Sequence, residues 1–243
     1  MSLELLRLAA AGGTTDIIAT PHLVEGANHL AWDVIKEKTD VLNGNAISAG
    51  IPIRVYTGAE IEINLDMLEM IKKEPGHYCL AESNYILLEL PMESIPRCTD
   101  EFFYELQLRG LIPILAHPER CTNLQKHPEI LLTWAQREIL LQCNSGSFTG
   151  FFGPKAQVFA EILLKNNLVH FLGSDAHSVE NRHTDLREAV AKMKTLASEL
   201  YVEQIIAANP RAILENRVLN VDVPKEIILP TEKKKGVWEN LFE

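Results

Sequence analysis

Hydrophobic and polar positions follow a repeating order along the 243 residues of the chain. Six short apolar runs each end in a polar cluster, and stretches with helical periodicity separate them. With their clusters, the runs span residues 17–22, 55–60, 86–89, 112–120, 140–145 and 169–177. Strands and helices that alternate at this spacing predict an α/β fold with a parallel sheet. The polar clusters should then converge at the carboxyl ends of the strands, where barrel enzymes assemble their active sites.

The periodicity also places the individual elements. The predicted strands are 15–20, 53–61, 85–90, 111–116, 139–144 and 168–174, and the predicted helices are 3–12, 32–50, 66–73, 99–109, 128–138, 155–166, 184–196, 202–208 and 210–214. A doubly wound open sheet is the structural alternative, but the glycine-rich loop that follows its first strand is missing. We favour a barrel. A closed barrel of this type starts on a strand, whereas this chain opens on a helix, so a strand and its loop are expected to be missing upstream.

Composition narrows the class of protein. The length and the 47% hydrophobic content suit one large core. We find no apolar run of about 18 residues for a membrane span and no signal peptide at the start, which predicts a cytoplasmic protein. The formal net charge of −10 disfavours a nucleic-acid partner. We assign residues 1–220 to the barrel and 221–243 to an extended tail, in which Trp238 and Phe242 are candidate docking residues and the lysines at 233–235 otherwise form a solvated charge run.

The four cysteines do not indicate a site. They are scattered at positions 79, 98, 121 and 143 without a C-x-x-C pair, so neither a structural zinc site nor a disulfide framework is predicted. The sixth residue after each cysteine is not an arginine. A cysteine nucleophile in a phosphate-binding loop is therefore disfavoured.

Histidines and acids at the strand ends carry the candidate chemistry. Asp175 and His177 lie two residues apart at a strand end, so they point the same way and can share a metal. His117 ends another strand, and Arg120 follows in the loop, where a guanidinium can bind a phosphate. Taken singly, His117 is equally explained as a core histidine bonded to backbone, and Arg120 as a surface residue.

Two carboxylates lie within otherwise apolar strands. Burying Glu60 or Glu89 without a cation partner is unfavourable, so each either has such a partner or faces solvent. Glu62 is the rival of Glu60, which we favour because it directly ends the apolar run. With His22 the set becomes two Glu, one Asp and three His, a nitrogen and oxygen inventory that suits Mn, Fe or Zn. This inventory indicates a metalloenzyme.

The order of these motifs resembles one superfamily. The motifs on which the resemblance is based are Ala-Thr-Pro-His22, Gly-Ala-Glu60-Ile, Ile-Leu-Leu-Glu89, Ile-Leu-Ala-His117-Pro-Glu-Arg120, Asn144-Ser-Gly-Ser and Gly-Ser-Asp175-Ala-His177. In this order and spacing they resemble the PHP (polymerase and histidinol phosphatase) superfamily. More narrowly, the chain is similar to the bacterial manganese-dependent protein-tyrosine phosphatases encoded with capsule and exopolysaccharide genes. The resemblance runs from residue 3 to about residue 214 and extends to the basic, aromatic tail.

The resemblance implies a fold and an activity. The fold is a distorted seven-stranded (β/α)7 TIM-like barrel with a site for up to three metal ions, of which Mn²⁺ is the expected one. Glu60 would bridge two metals, Glu89 and His117 would hold the second, and the remaining ligands would be His22, Asp175 and His177. Arg120 and Arg182 would hold the phosphate while water attacks phosphorus in line. The implied substrate is a phosphotyrosine protein, namely the tail of a capsule-type tyrosine kinase.

The chain also departs from the family pattern. Members begin with a strand bearing His-x-His and a loop with Asp-Asp-Gly, and neither occurs here. A misassigned start codon, a shortened chain and a natural truncation with fewer metals are the competing explanations. If Met1 is genuine, weakened metal binding and reduced phosphatase activity are expected.

Other functions remain open at this point. A histidinol-phosphatase-like phosphoesterase is the enzymatic alternative. A catalytically silent module that binds the kinase tail is the alternative from another class, and the missing His-x-His supports it. A proofreading module of a DNA polymerase is disfavoured by the net acidity of the chain.

Overall fold

Parallel strands wrapped by helices form the structure, a computed structural model that describes residues 1–23 and 32–229. In these ranges the strands are β1 Asp16–Ala19, β2 His22–Leu23, β3 Arg54–Thr57, β4 Glu60–Glu62, β5 Tyr85–Glu89, β6 Ile112–Ala116, β7 Leu140–Asn144 and β8 Phe171–Gly173. The α-helices are α1 Ser2–Ala11, α2 Trp32–Ser48, α3 Leu65–Lys73, α4 Thr99–Leu108, α5 Thr122–Lys126, α6 Glu129–Ala135, α7 Ser145–Phe148, α8 Pro154–Lys165, α9 Arg187–Lys194, α10 Glu199–Glu203 and α11 Asn209–Leu214. Short 3₁₀ turns lie at Leu80–Glu82 and Pro118–Arg120, and a π-turn at Gln204–Ala208.

The eight strands belong to six passes, meaning six stretches of chain that each run once through the fold, as the six apolar runs predicted. The first pass contains β1 and β2, the second contains β3 and β4, and each later strand is a pass of its own. The main sheet has the order β2-β4-β5-β6-β7-β8, and β1 pairs with β3 beside it. Every pair is parallel, and each pass lies next to the following pass in the sequence. A doubly wound sheet reverses its strand order at a switch point, and this order contains none. The alternative of a doubly wound sheet is therefore wrong for the described residues.

The first two passes are each broken in two. The sequence predicted that the first strand ends before Pro21 but not that it continues as β2, and it predicted no break in the second. Pro21 separates β1 from β2 because proline has no N–H to give to the ladder, although its carbonyl still accepts a hydrogen bond from the Glu60 N–H at 3.1 Å. The second pass breaks at Gly58. A Cβ at this position would lie 2.8 Å from Ile18 Cγ2 and 2.9 Å from Leu80 Cδ2, so only glycine permits the close approach.

The sheet is curled into a half-barrel rather than flat. His22 begins β2 at one edge and His177 follows β8 at the other, yet their ring centroids are only 5.9 Å apart. Curling of the sheet brings these two edges together at the carboxyl ends of the strands. Among the described strands no ladder joins β2 to β8, so what the structure shows is an α/β fold with a curled parallel sheet.

Successive side chains along a strand point to opposite faces of the sheet and pack into two different hydrophobic clusters. Ile86 and Leu88 of β5 pack with the helices in the largest cluster, which also holds Phe103 of α4 and Phe159 of α8. Tyr85 and Leu87 have the opposite parity and belong to a smaller cluster, together with Leu80, Ile114, Ala116, Leu140, Phe171 and Ile213. This smaller cluster fills the concave face of the sheet. Glu89 continues the parity of Tyr85 and Leu87, which directs a carboxylate into the concavity where the strand ends.

The remaining predicted helices are present with bounds that differ by a few residues, and the predicted helix 202–208 is formed by the end of α10 and the turn at Gln204–Ala208. The short helices α5 and α7 were not predicted. Helix α9 begins at Arg187 rather than at residue 184, and the last predicted strand is reduced to Phe171–Gly173. No helix in the described part of the chain is long and apolar enough to cross a membrane.

Part of the predicted tail contacts the fold. Residues 221–229 have no regular structure, but Val223 and Ile227 pack against the large core. The Asn166 side chain donates to the Ile228 carbonyl at 3.0 Å and accepts from the Ile228 N–H at 2.6 Å. Trp238, Phe242 and the lysines at 233–235 lie outside the described residues. The division at residue 220 stays a prediction.

Candidate metal and phosphate site

Four of the predicted site residues meet in the concavity of the sheet; we call them the carboxylate–histidine cluster. They are His22, Glu60, Glu89 and His117. Strand register explains the first contacts, because His22 of β2 lies directly opposite Glu60 of β4. Glu60 pairs in turn with Leu87, two residues before Glu89 on the same face of β5.

Distances inside this cluster are short. His22 Nδ1 lies 2.9 Å from Glu89 Oε1 and 3.8 Å from Glu60 Oε2. His117 Nε2 lies 2.8 Å from Glu60 Oε1 and 3.6 Å from Glu89 Oε2. Both carboxylates thus contact both imidazoles. The rival residue Glu62 is only half-buried, whereas Glu60 is 5% exposed.

The charges of the cluster show in the pKa values of the two histidines. The hydrogen bond to Glu89 raises the pKa of His22 to about 9, against the opposing effect of burial. Burial alone would lower the pKa of His117, but the hydrogen bond and negative charge of Glu60 outweigh it and raise this pKa above its ordinary value. The cluster therefore attracts positive charge strongly.

Arg120, Asn144, Asp175 and Arg182 form a second group, which we call the arginine cluster. Asp175 Oδ2 accepts hydrogen bonds from Arg120 Nη1 at 2.9 Å and from Asn144 Nδ2 at 2.8 Å, and it also contacts Arg182 Nη2. Arg182 Nε donates to the Asp175 carbonyl at 3.1 Å. Two guanidinium groups thus converge on one carboxylate oxygen, an arrangement that also suits an anionic ligand.

His177 connects the two clusters. Its ring lies beside that of His22, and its Nδ1 donates to the Asp175 carbonyl at 3.0 Å. A carbonyl oxygen only accepts, so this contact fixes the proton on Nδ1 and leaves Nε2 free to act as a ligand. Asp175 and His177 are therefore next to the other predicted ligands, although Asp175 itself is held by the arginines.

Two of these residues have a left-handed backbone. His117 has φ 33° and Asp175 has φ 48°, a region that residues with a Cβ rarely adopt. Such conformations are unfavourable by about 1–3 kcal/mol each and concentrate at functional sites. At His117 the turn directs the imidazole from the end of β6 into the concavity.

Sequence reasoning did not assign a role to Glu119 or Asn144. Glu119 is fully buried, and its Oε1 accepts from the Asn144 N–H at 2.9 Å and the Ser147 hydroxyl at 2.6 Å. This contact fixes the end of β7, from which the Asn144 side chain reaches Asp175. Glu119 lies between His117 and Arg120 in the sequence, and Asn144 ends an apolar run, so the motif contained both signals.

The donor set of the carboxylate–histidine cluster fits a divalent cation. One ligand atom each from His22, Glu60 and Glu89 lie within 4.8 Å of one another, and the carboxylate side chains of Glu60 and Glu89 are only 7% and 12% exposed. Nitrogen and carboxylate ligands without thiolates suit Mn, Fe or Zn. A cation here would compensate two buried negative charges, which burial otherwise disfavours.

Comparisons with known proteins agree with this geometry. A profile of the family described as "Capsular polysaccharide synthesis, CpsB/CapC" matches residues 1–215. The tyrosine-protein phosphatase YwqE of Bacillus subtilis is 34% identical over 227 residues, which are 93% of this chain and 88% of YwqE. The putative tyrosine-protein phosphatase CapC of Staphylococcus aureus is 32% identical, over 99% of this chain and 92% of CapC.

A solved structure is similar as well. It comes from a study of YwqE from Bacillus subtilis and CpsB from Streptococcus pneumoniae, described as unique metal-dependent tyrosine phosphatases. The TM-score is 0.86 with 33% sequence identity, covering 93% of this chain and 91% of the other. The family profile and these relatives lead to one conclusion: the chain belongs to the CpsB/CapC family of capsular polysaccharide synthesis proteins.

Proposed function

We propose that this protein is a metal-dependent protein-tyrosine phosphatase. One observation carries the proposal: a cluster that suits cations and a cluster that suits anions share one concavity, where the rings of His22 and His177 are 5.9 Å apart. A metal-dependent phosphatase uses both, because bound cations and arginines together stabilise the charge that develops on the phosphoryl oxygens and on the leaving group. The names of YwqE and CapC supply the substrate class.

We further propose Mn²⁺ as the metal, with Fe or Zn as the alternatives. His22, Glu60, Glu89 and His117 would hold it, and Asp175 and His177 would add ligands if more than one ion binds. When bound, such ions stabilise charge on the phosphoryl oxygens and make a bound water more acidic. The nitrogen and carboxylate donor set of the cluster supports this choice, since it lacks the thiolates of structural zinc sites.

The two arginines would bind the phosphate. Arg120 and Arg182 both donate to Asp175, so a substrate phosphate would compete with this carboxylate for their N–H donors. Their guanidinium groups would orient the phosphoryl group and stabilise the charge that develops as the bond to the tyrosine oxygen breaks. Asn144 would retain Asp175 when the arginines release it.

The proposal also extends to the substrate protein, the cellular compartment and the complete fold. The substrate would be a phosphotyrosine protein such as the tail of a capsule-type tyrosine kinase, and the protein would act in the cytoplasm, where its four free thiols stay reduced. The curled sheet would be part of a distorted (β/α)7 barrel, since its strand order is sequential and its edges approach each other.

Turnover with and without metal tests the proposal. We expect the Mn²⁺-loaded protein to release phosphate from a phosphotyrosine peptide, to lose this activity with a chelator and to regain it when Mn²⁺ is restored. Histidinol phosphate in the same assay separates the phosphatase from the histidinol-phosphatase-like alternative. Tight peptide binding without turnover at saturating Mn²⁺ would instead support the silent binding module.

A further inference from the structure

An aromatic pair next to the arginines has no role in the function described so far. Phe151 and Phe152 follow α7, and their rings pack edge to face with centroids 5.0 Å apart. Arg120 Cζ lies over the Phe152 ring, 4.1 Å from its centroid, and Arg182 Cζ is 5.5 Å from the same centroid. One ring therefore supports both guanidinium groups that are proposed to bind phosphate.

The backbone is shaped to hold Phe152 in this place. A Cβ on Gly146 would lie 2.7 Å from Phe152 Cε2, so only a glycine leaves room for the ring. Gly150 and Gly153 bracket the pair with φ values of +82° and +88°, which side chains with a Cβ rarely adopt. The Phe151 N–H donates to the Gly146 carbonyl at 2.8 Å and closes the loop. The pair is thus fixed rather than a loose surface feature.

Phe151 differs from Phe152 in its exposure. Phe151 is 49% exposed, so its ring is available to contact a ligand. In a phosphotyrosine, one bridging oxygen joins the ring to the phosphorus. When the guanidinium groups hold the phosphate, the substrate ring must therefore lie close beside them. Phe151 is the exposed ring that packs on Phe152, which itself supports both guanidinium groups.

We propose that this aromatic pair selects aryl phosphates. Phe151 would pack against the phenyl ring of the substrate tyrosine, and Phe152 would be a positioning residue that holds Arg120 and Arg182 through cation–π contacts. The inference rests on the proposed phosphatase activity and names the residues that recognise the ring. A phosphoserine side chain offers no ring to Phe151 and would gain nothing from it.

Phe151→Ala tests the contact with the substrate ring. We expect kcat/KM for a phosphotyrosine peptide to fall about 3- to 10-fold, the range of a single aromatic contact. The inhibition constant of inorganic phosphate should stay unchanged, because phosphate carries no ring. Tyr104→Ala is the matched control, since Tyr104 is a 55% exposed aromatic residue on α4 and should leave both values unchanged.

Phe152→Leu tests the positioning role. This variant keeps an apolar side chain but removes the π face, so both KM for the peptide and the inhibition constant of inorganic phosphate should rise. Phe152→Tyr retains the face and should restore both values. Melting temperatures of all variants should show that they are folded.

The outcomes separate the two proposals. The inference is wrong if Phe151→Ala leaves kcat/KM within twofold of the wild type, or if it weakens peptide and inorganic phosphate equally. It is also wrong if Phe152→Tyr does no better than Phe152→Leu. Absence of phosphotyrosine hydrolysis by the wild type with Mn²⁺ would overturn the proposed function, and the inference with it.

Discussion

Two buried histidines in different regions of the sheet show what distinguishes a site from a core. His117 at the carboxyl end of β6 and His170 just before β8 are each 4% exposed. His117 Nε2 contacts Glu60, and its pKa is raised. His170 Nδ1 accepts from the Leu141 N–H at 2.9 Å, and burial lowers its pKa to about 4.

The partner, and not the degree of burial, decides the role of each histidine. A carboxylate favours the charged imidazole or a cation in its place, whereas a backbone N–H requires a neutral acceptor. The sequence left a core histidine bonded to backbone as one explanation of His117. The structure places His170 in that role, while His117 lies among acids.

Removing one charge from the carboxylate–histidine cluster should abolish the activity. Glu60→Gln keeps the shape of the side chain but weakens cation binding. We expect a loss of more than about 100-fold in kcat/KM, because groups that only orient metal ligands already contribute about 10- to 100-fold. Bound metal per chain and phosphotyrosine hydrolysis measure the effect. Glu62→Gln on the same strand is the control and should retain both, and equal losses in the two variants would contradict the assignment.

Removing a guanidinium should lower activity without removing the metal. Arg182→Ala leaves the carboxylate–histidine cluster intact but removes a donor for the phosphate, so kcat/KM should decrease about 100-fold. Metal content should match that of the wild type. The control is Arg187→Ala, five residues after Arg182, which changes an exposed arginine that pairs with Asp185 and should have little effect. Loss of metal in Arg182→Ala would show that the two clusters are not separable.

His170 should make the fold sensitive to acid. Its folded pKa lies below its ordinary value of 6.5, so the unfolded chain binds the proton first as the pH falls. Stability should be intact at pH 7 and decrease between about pH 6.5 and pH 4. Between pH 7 and pH 4.5, protonation of His170 should lower the free energy of unfolding by about 2–3 kcal/mol.

His170→Asn isolates this contribution in denaturant unfolding. The asparagine oxygen can still accept from the Leu141 N–H but does not titrate, so the variant should lose less stability between pH 7 and pH 4.5 than the wild type. His127→Asn, at a histidine that is 55% exposed, should behave like the wild type. Parallel pH profiles for wild type and His170→Asn would show that His170 is not buried as a neutral acceptor.

A small effect is expected where a side chain supports the site without contacting it. Ser147→Ala removes one hydrogen bond to Glu119 and should lower the free energy of unfolding by about 1 kcal/mol. Because the backbone N–H of Asn144 still holds Glu119, kcat/KM should remain within about threefold of the wild type. A drop of 100-fold would instead make Ser147 part of the catalytic machinery.

The sequence predicted the passes of the sheet better than their details. Apolar runs are long enough to mark each strand, and the polar residue at each end follows from the convergence of parallel strands. The first predicted strand ended before Pro21, but its continuation at His22 was not predicted. The break at Gly58 was not predicted because it is set by Ile18 and Leu80, which are distant in sequence. The hydrophobic periodicity of one segment carries no information about close contacts with residues that are distant in sequence.

For the candidate site, too, the sequence predicted the main residues but not the contacts that support them. Residue types at strand ends sufficed to select His22, Glu60 and Glu89, which the structure brings together. The motif drew attention to Glu119 by its position, but the partners of Glu119, like those of Phe152, depend on loop conformation, including the left-handed turn at His117, which local patterns do not encode. That Asp175 is bound by two arginines also could not be predicted, since both lie in loops.

The central claim is that His22, Glu60 and Glu89 gather around a shared cation. Anomalous diffraction from a Mn²⁺-soaked crystal, recorded near the manganese absorption edge, tests it most directly. We predict an anomalous peak in bonding contact with His22, Glu60 and Glu89, and its absence after Glu60→Gln. A fully Mn²⁺-soaked crystal with no peak between these three side chains would contradict the account.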